Sequence, residues 1–221
     1  MNWEDSITDI FEISLYENAE RCIRGLDTVA VKDIVGFFKT TFPAGEKDAY
    51  FEYFTHSRWR KFLLSAYYAD LASYAKKEDQ TDFSRLCYIL NKFPEGFTVW
   101  WISARNALYP AGYTGWHYVE EDTFDRLTDM QYRITNRFFP PAPSATPYIY
   151  LFNYSIAPAL NHSEYSRILI KDYVSVISEI PYTGIFCAAV SADGVSVAER
   201  FGMNAVRKIN NGDTIYILRK R

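Results

Sequence analysis

The stretch SIAPALNHSEYSRILI, residues 155–170, runs from an apolar segment into a helical pattern. Corners of this kind hold phosphates, because the first N–H groups of a helix lack intrahelical acceptors and carry the positive end of its dipole. Its polar members are Asn161, His162, Ser163, Glu164, Tyr165, Ser166 and Arg167. His162 can donate to a phosphate. Arg167, three residues beyond Glu164 on one helix face, can neutralise either that carboxylate or a phosphate. The stretch has no glycine to let a ligand come close to the backbone. Asn161 and Glu164 also stand at capping-box spacing, an arrangement in which the helix satisfies its own donors. A phosphate oxygen about 5 Å from the Glu164 carboxylate would feel roughly 3 kcal/mol of repulsion at an effective dielectric of 20. A helix start offers an anion roughly 0.3–2 kcal/mol.

The other reactive side chains are scattered. Cys22, Cys87 and Cys187 are odd in number and far apart, and His56, His117 and His162 share no metal-ligand spacing, so no metal site is expected. There is no nucleophile triad, P-loop or dinucleotide fingerprint.

The elements around the corner follow from composition and pattern. The chain has 221 residues, 48% hydrophobic and 23% charged, enough for an ordinary core. Aromatic residues reach 18%, with 18 Tyr and 16 Phe, and most of these rings are expected in the core. A formal charge of −3 without a basic block disfavours nucleic acid. The acidic start lacks the basic residues and apolar run of a signal peptide, and Pro147, Asn153, Pro158 and Asn161 break the longest uncharged stretch. A cytoplasmic protein with reduced thiols and no membrane segment is the expectation.

From Asp5 to about Phe93 the spacing predicts four helices, over residues 5–25, 27–43, 48–77 and 81–94. After Pro94 it predicts strands at 97–105 and 112–119, joined by NALYPA as a turn, then a short helix at 120–134. The proline-rich run 138–147 reads as an exposed, extended connection. A buried strand at 148–156, a helix at 163–180 and a buried strand at 184–191 follow. Strand, helix, strand in this order joins parallel neighbours. A short helix at 195–203 and the hairpin AVRKI-NNGD-TIYILRK close the chain. The fold class is α+β, a mixed sheet preceded by a helical half. A helical segment 1–95 and a core 96–221 are expected as its two parts.

The order from Phe97 onward resembles the GNAT acetyltransferase superfamily over roughly the last 125 residues, on SIAPALNHSEYSRILI, VSADGVSVAERFGM and the closing hairpin. Within it the chain is similar to bacterial members with a YTGW strand and a DGxxxAERFGM segment. The resemblance implies a central mixed sheet whose two parallel strands splay apart to admit the pantetheine arm of acetyl-CoA or another acyl-CoA. It implies pantetheine contacts at Tyr154, Ser155, Ile156 and Ala157, with the diphosphate on residues 161–167. The chain departs from the family's [QR]-x-x-G-x-[GA] motif: Asn161, Glu164 and Ser166 hold its defining positions. In the second motif, N-x-x-A-x-x-x-Y-x-x-x-G-[FM], Ser191, Gly194 and Ala198 stand for Asn, Ala and Tyr. The Tyr that commonly protonates the departing thiolate is thus missing.

Tyr154 and Ser191 are the substitute proton donors, and His117, beside Glu120 and Glu121, is the candidate base. The resemblance implies an N-acetyltransferase acting on a small-molecule or protein amine by direct attack. The replaced motif residues instead favour a catalytically inactive binding or regulatory protein. Pairing of edge strands into a homodimer is compatible with either reading.

Overall fold

In a computed structural model of the chain, residues 35–36, 38–39, 41–43, 45–53, 59–134, 137–209 and 212–220 are described. Among them run β1 (Lys47–Tyr53), α1 (Trp59–Ser73), α2 (Phe83–Lys92), β2 (Phe97–Ala104), β3 (Ala107–Tyr118) and α3 (Glu121–Arg126). Then follow β4 (Tyr148–Ile156), α4 (Glu164–Ser178), β5 (Gly184–Ala189), α5 (Ala192–Arg200), β6 (Asn204–Lys208) and β7 (Thr214–Arg219). The strands form one seven-stranded sheet of order β1-β2-β3-β4-β5-β7-β6. β4 and β5 pair in parallel, as the strand-helix-strand pattern requires. No helix of the described residues is long and apolar enough to cross a membrane. Two compact units make up the chain, the residues up to Thr114 with Ser155–Ile168, and Gly115–Tyr154 with Leu169–Arg221.

In the first unit, α1 is buried nearly all round, through Phe62, Leu63, Leu64, Ala66, Tyr68, Ala69 and Ala72. α2 is one-sided: Phe83, Leu86, Cys87, Ile89 and Leu90 recur at three and four and face inward. Asp82 caps it, accepting from Ser84 N–H at 2.9 Å. Asp70 of α1, fully buried, accepts from Tyr113 Oη at 3.0 Å and from Thr81 Oγ1 at 3.2 Å. That carboxylate binds α1, the α2 entrance and β3 together.

Two sequence expectations change here. Residues 48–53, taken as part of a helix, lie in β1, paired antiparallel to β2 from Lys47↔Ala104 to Tyr53↔Thr98. Aromatic and β-forming side chains at Tyr50, Phe51 and Tyr53 suit a pleated edge, and this strand partner decides the element where periodicity over seven residues does not. The supposed turn NALYPA is mostly strand. The reversal is confined to Arg105 and Asn106, both left-handed at φ 49° and 62°, as a two-residue hairpin turn requires. Of the first two expected helices, residues 5–25 lie outside the described residues, as does most of 27–43.

The second unit has an aromatic core of Phe124, Phe139, Tyr148, Tyr150 and Phe186 with Val119, Leu127, Ile209 and Ile215. α3 keeps its acidic first turn, Glu121 and Asp122, but spans six residues rather than fifteen. Arg207 then holds the following turn by donating to the carbonyls of Asp129 and Tyr132 at 2.7 and 2.8 Å. The proline-rich run is exposed at Pro140, Pro143, Ser144, Ala145 and Pro147 but is anchored at other positions. Phe139 is buried against Tyr150 and Phe186, and Thr146 Oγ1 donates to Val119 O at 2.7 Å.

Candidate functional site

Within the first unit, β4 leaves the sheet through a 3-10 turn, Pro158–Leu160. Leu160 N–H donates to Ala157 O at 2.8 Å, Asn161 N–H to Pro158 O at 3.2 Å and Ser163 N–H to Leu160 O at 3.2 Å. His162 takes a left-handed φ of 60°, uncommon for a residue with a β-carbon, and α4 begins two residues later. Ser163 caps the helix: its Oγ accepts from Ser166 N–H at 3.4 Å, while Ser166 Oγ donates to Ser163 O at 2.7 Å. The expected Asn161–Glu164 capping box therefore does not form. The 3-10 turn takes up the Asn161 N–H and shifts the capping position to Ser163.

Asn161, His162, Glu164 and Arg167 are exposed, Ser163 and Tyr165 half-buried, and Ser166 buried. The N–H groups of Glu164 and Tyr165 lie in the first helical turn, beyond reach of any intrahelical acceptor. Tyr165 Oη donates to Lys47 O at 3.2 Å, tying the helix start to β1. Upstream, Ser155, Ile156 and Ala157 are buried. The Ala157 N–H donates to Ala111 O at 2.6 Å, and Ile156 O accepts from Ser73 Oγ at 2.8 Å. Gly112 meets the same strand so closely that a β-carbon there would lie 2.0 Å from Ser155 O.

Within the second unit, the parallel ladder runs from Tyr148↔Gly184 to Leu151↔Cys187. β4 continues to Ile156 and β5 to Ala189. The ladder thus ends at Leu151↔Cys187 while both strands run on. Burial pushes the Cys187 thiol up to about 12, which leaves it protonated and unreactive at neutral pH. Tyr154, half-buried, has its phenol pKa raised by burial and then by Asp193, so it stays a proton donor.

Ser191 caps α5, its Oγ accepting from Gly194 N–H at 3.1 Å, and Ala198 is fully buried. His117 is fully buried, its ring 5.4 Å from Tyr150 and 5.6 Å from Phe152. Nδ1 lies 2.9 Å from Tyr118 O, which assigns the proton to Nδ1, and Nε2 has no hydrogen-bond partner. Burial lowers the imidazole to about 4. Glu121 accepts from Tyr148 Oη at 2.6 Å. Among the described residues no group of three His, Cys, Asp or Glu side chains is arranged to hold a metal ion.

The structure thus places Tyr154 and Ser191 near the end of the ladder, whereas His117 sits under aromatic rings. Sequence reading missed Gly115, whose hypothetical β-carbon would lie 2.1 Å from the Phe152 ring, and the residues Phe152 and Ala188 just past the ladder. The signal for them is AGYTGWHY, a bulky strand with two glycines, since glycine inside a strand marks a close neighbour.

No family model matches the sequence, and no curated protein matches it. Solved structures do match. One is the loading GNATL domain of CurA from Lyngbya majuscula, at 7% identity and TM-score 0.55, covering 78% of this chain and 98% of that one. A second is the NatC complex bound to Gag peptide and CoA, at 11% and 0.55, covering 79% and 99%. A third is the GphF GNAT-like decarboxylase in complex with isobutyryl-CoA, at 11% and 0.55, covering 78% and 100%. With its mixed seven-stranded sheet and single parallel pair, whose ladder ends at Leu151↔Cys187, the chain adopts the fold of the GNAT acetyltransferases.

Proposed function

We propose that the protein is an acyl-CoA-dependent N-acyltransferase that passes an acetyl or other acyl group to an amine, of a small molecule or of a protein, by direct attack. The observation that carries this reading is the end of the β4–β5 ladder at Leu151↔Cys187, with both strands running on. Two similar folds are described with CoA or an acyl-CoA bound, which supports the same co-substrate here.

The pantetheine arm would run along β4 from Phe152 to Tyr154. The Ile156 carbonyl and Ala157 N–H already have protein partners and contribute less. The diphosphate would take the first turn of α4, using the N–H groups of Glu164 and Tyr165, with His162 and Arg167 as side-chain donors. The bound thioester supplies the activated acyl group. Tyr154 holds the proton that the leaving thiolate requires, the task left open by Ala198 at the family's Tyr position.

Buried Ala198 also favours the second reading, a GNAT-like binding or regulatory protein without turnover. Thermal melting with millimolar CoA and acetyl-CoA tests the first: ligand at 100 times its dissociation constant stabilises by about 2.7 kcal/mol. No shift with CoA, acetyl-CoA or a longer acyl-CoA refutes the transferase. A shift without turnover on any amine leaves the second reading. In an active enzyme, Tyr154→Phe should lower kcat by about 10²–10⁴-fold with little change in acetyl-CoA affinity.

A further inference from the structure

Residues 137–147, RFFPPAPSATP, lie against the aromatic core of the second unit without forming a helix or a strand. Covalent structure fixes their shape. Pro140, Pro141 and Pro143 each hold φ at about −65°. Phe139, Pro140 and Ala142 each precede a proline, whose ring pushes them toward an extended ψ. The two constraints together give a polyproline II helix over residues 139–143, with about three residues per turn and a rise of about 3.1 Å.

Burial follows that period of three. Phe139 and Ala142, one turn apart, make the anchored edge. Phe139 is buried edge-on against Tyr150 and Phe186, and the Ala142 N–H donates to Tyr118 O at 2.8 Å. Phe138 and Pro141 are half-buried on the second edge, and Pro140 and Pro143 are exposed on the third. Both ends of the run are held as well. Arg137 O accepts from Tyr150 Oη at 2.9 Å, and Thr146 Oγ1 donates to Val119 O at 2.7 Å. The exposed prolines therefore stand about 9 Å apart on a backbone that is already ordered.

We propose that Pro140, Pro141 and Pro143 form a docking strip for another protein, one with an aromatic-lined groove of the kind that SH3 and WW modules use to read polyproline II. Such grooves take proline rings against aromatic faces, and a ligand held in this conformation loses little entropy on binding. Anchorage through Phe139, Ala142 and Thr146 supplies that preorganisation here and leaves the proline edge outward. The run carries no charge from Phe138 to Pro147, and Arg137 before it is paired with Asp213 at 3.2 Å. The groove is thus met by rings rather than by ions. Stiffening of the connection is the competing role for these prolines; it predicts a change in stability and no partner.

Titration of a panel of 15N-labelled SH3 and WW domains with the unlabelled full chain, followed by NMR, tests this. At least one domain should show saturable shifts at the aromatic residues of its groove, with a dissociation constant below about 1 mM. Excess polyproline peptide should reverse those shifts with wild-type protein, a result that depends on no variant folding. The double variant Pro140→Ala, Pro143→Ala should bind at least about tenfold more weakly, whereas Ser144→Ala, exposed beside the strip, should bind like wild type. Absence of shifts across the panel overturns the proposal. So do shifts outside the groove, or a double variant that binds as wild type does. A wild type that sediments as a dimer, with the double variant a monomer, assigns the strip to a second copy of the chain and overturns it too.

Discussion

His117 couples the second unit's stability to pH, and the size of the effect follows from its surroundings. The ring is packed against Tyr150 and Phe152, its Nδ1–H is spent on the Tyr118 carbonyl, and its Nε2 meets no donor. Protonating Nε2 would place a cation among aromatic rings with no carboxylate beside it, which is why burial lowers the imidazole from 6.5 to about 4. The folded state holds the neutral form, and the unfolded chain takes up the proton first. The stabilisation is therefore complete above pH 6.5 and is lost progressively as pH falls toward about 4.

At about 1.4 kcal/mol per pH unit, a drop from 6.5 to about 4 is worth about 3 kcal/mol in all, of which about 2 kcal/mol is gone by pH 5. Carboxylates titrate in the same range, so a variant must isolate the histidine. Urea denaturation of wild type and His117→Phe at several pH values from 7.5 to 4.5 supplies the difference. Wild type should lose about 2 kcal/mol relative to the variant between neutral pH and pH 5. A wild-type-minus-variant difference that stays constant over that range refutes the reasoning. So does an NMR titration placing His117 near the ordinary histidine value.

Other outcomes follow from local geometry. Gly112→Ala should destabilise by about 1–3 kcal/mol or more in urea, because its β-carbon would meet the Ser155 carbonyl at 2.0 Å and backbone cannot rotate aside. Tyr113→Phe should lower the urea midpoint by an amount equivalent to about 1–3 kcal/mol, since it removes the 3.0 Å donor to buried Asp70. Asp70→Ala should cost more, because it strips Tyr113 and Thr81 of a shared acceptor. Ser191→Ala should cost about 1 kcal/mol through loss of the α5 cap, with turnover per folded molecule unchanged if capping is its whole role. A much larger fall in kcat at constant stability would give Ser191 a part in the chemistry.

Much of the architecture is legible in local pattern. The strand-helix-strand run from Tyr148 to Ala189 requires a parallel pair, and the splay was expected of that pair through family resemblance. The closing hairpin follows from NNGD between two β-rich runs. Helices α2 and α4 follow from apolar spacing at three and four. β1 escapes such reading, because seven residues carry too few periods to separate a strand from a helix, and its ladder partner lies some fifty residues away. The capping arrangement at the corner escapes it too. Asn161 and Ser163 are both good caps, and the 3-10 turn after Pro158 decides between them.

Residue types and their order alone determine that this chain can build a mixed sheet with a glycine-less corner and no metal-ligand spacing. Whether a given side chain can act is decided by tertiary packing. His117 looks like a base in GWHYVEED and becomes a core imidazole because the rings of Tyr150 and Phe152 close over it. Ala188 looks like any small core residue, and only the strand register shows that it stands one position past the end of the ladder. Desolvation and the register of two strands depend on neighbours distant in sequence, so no window of residues contains them.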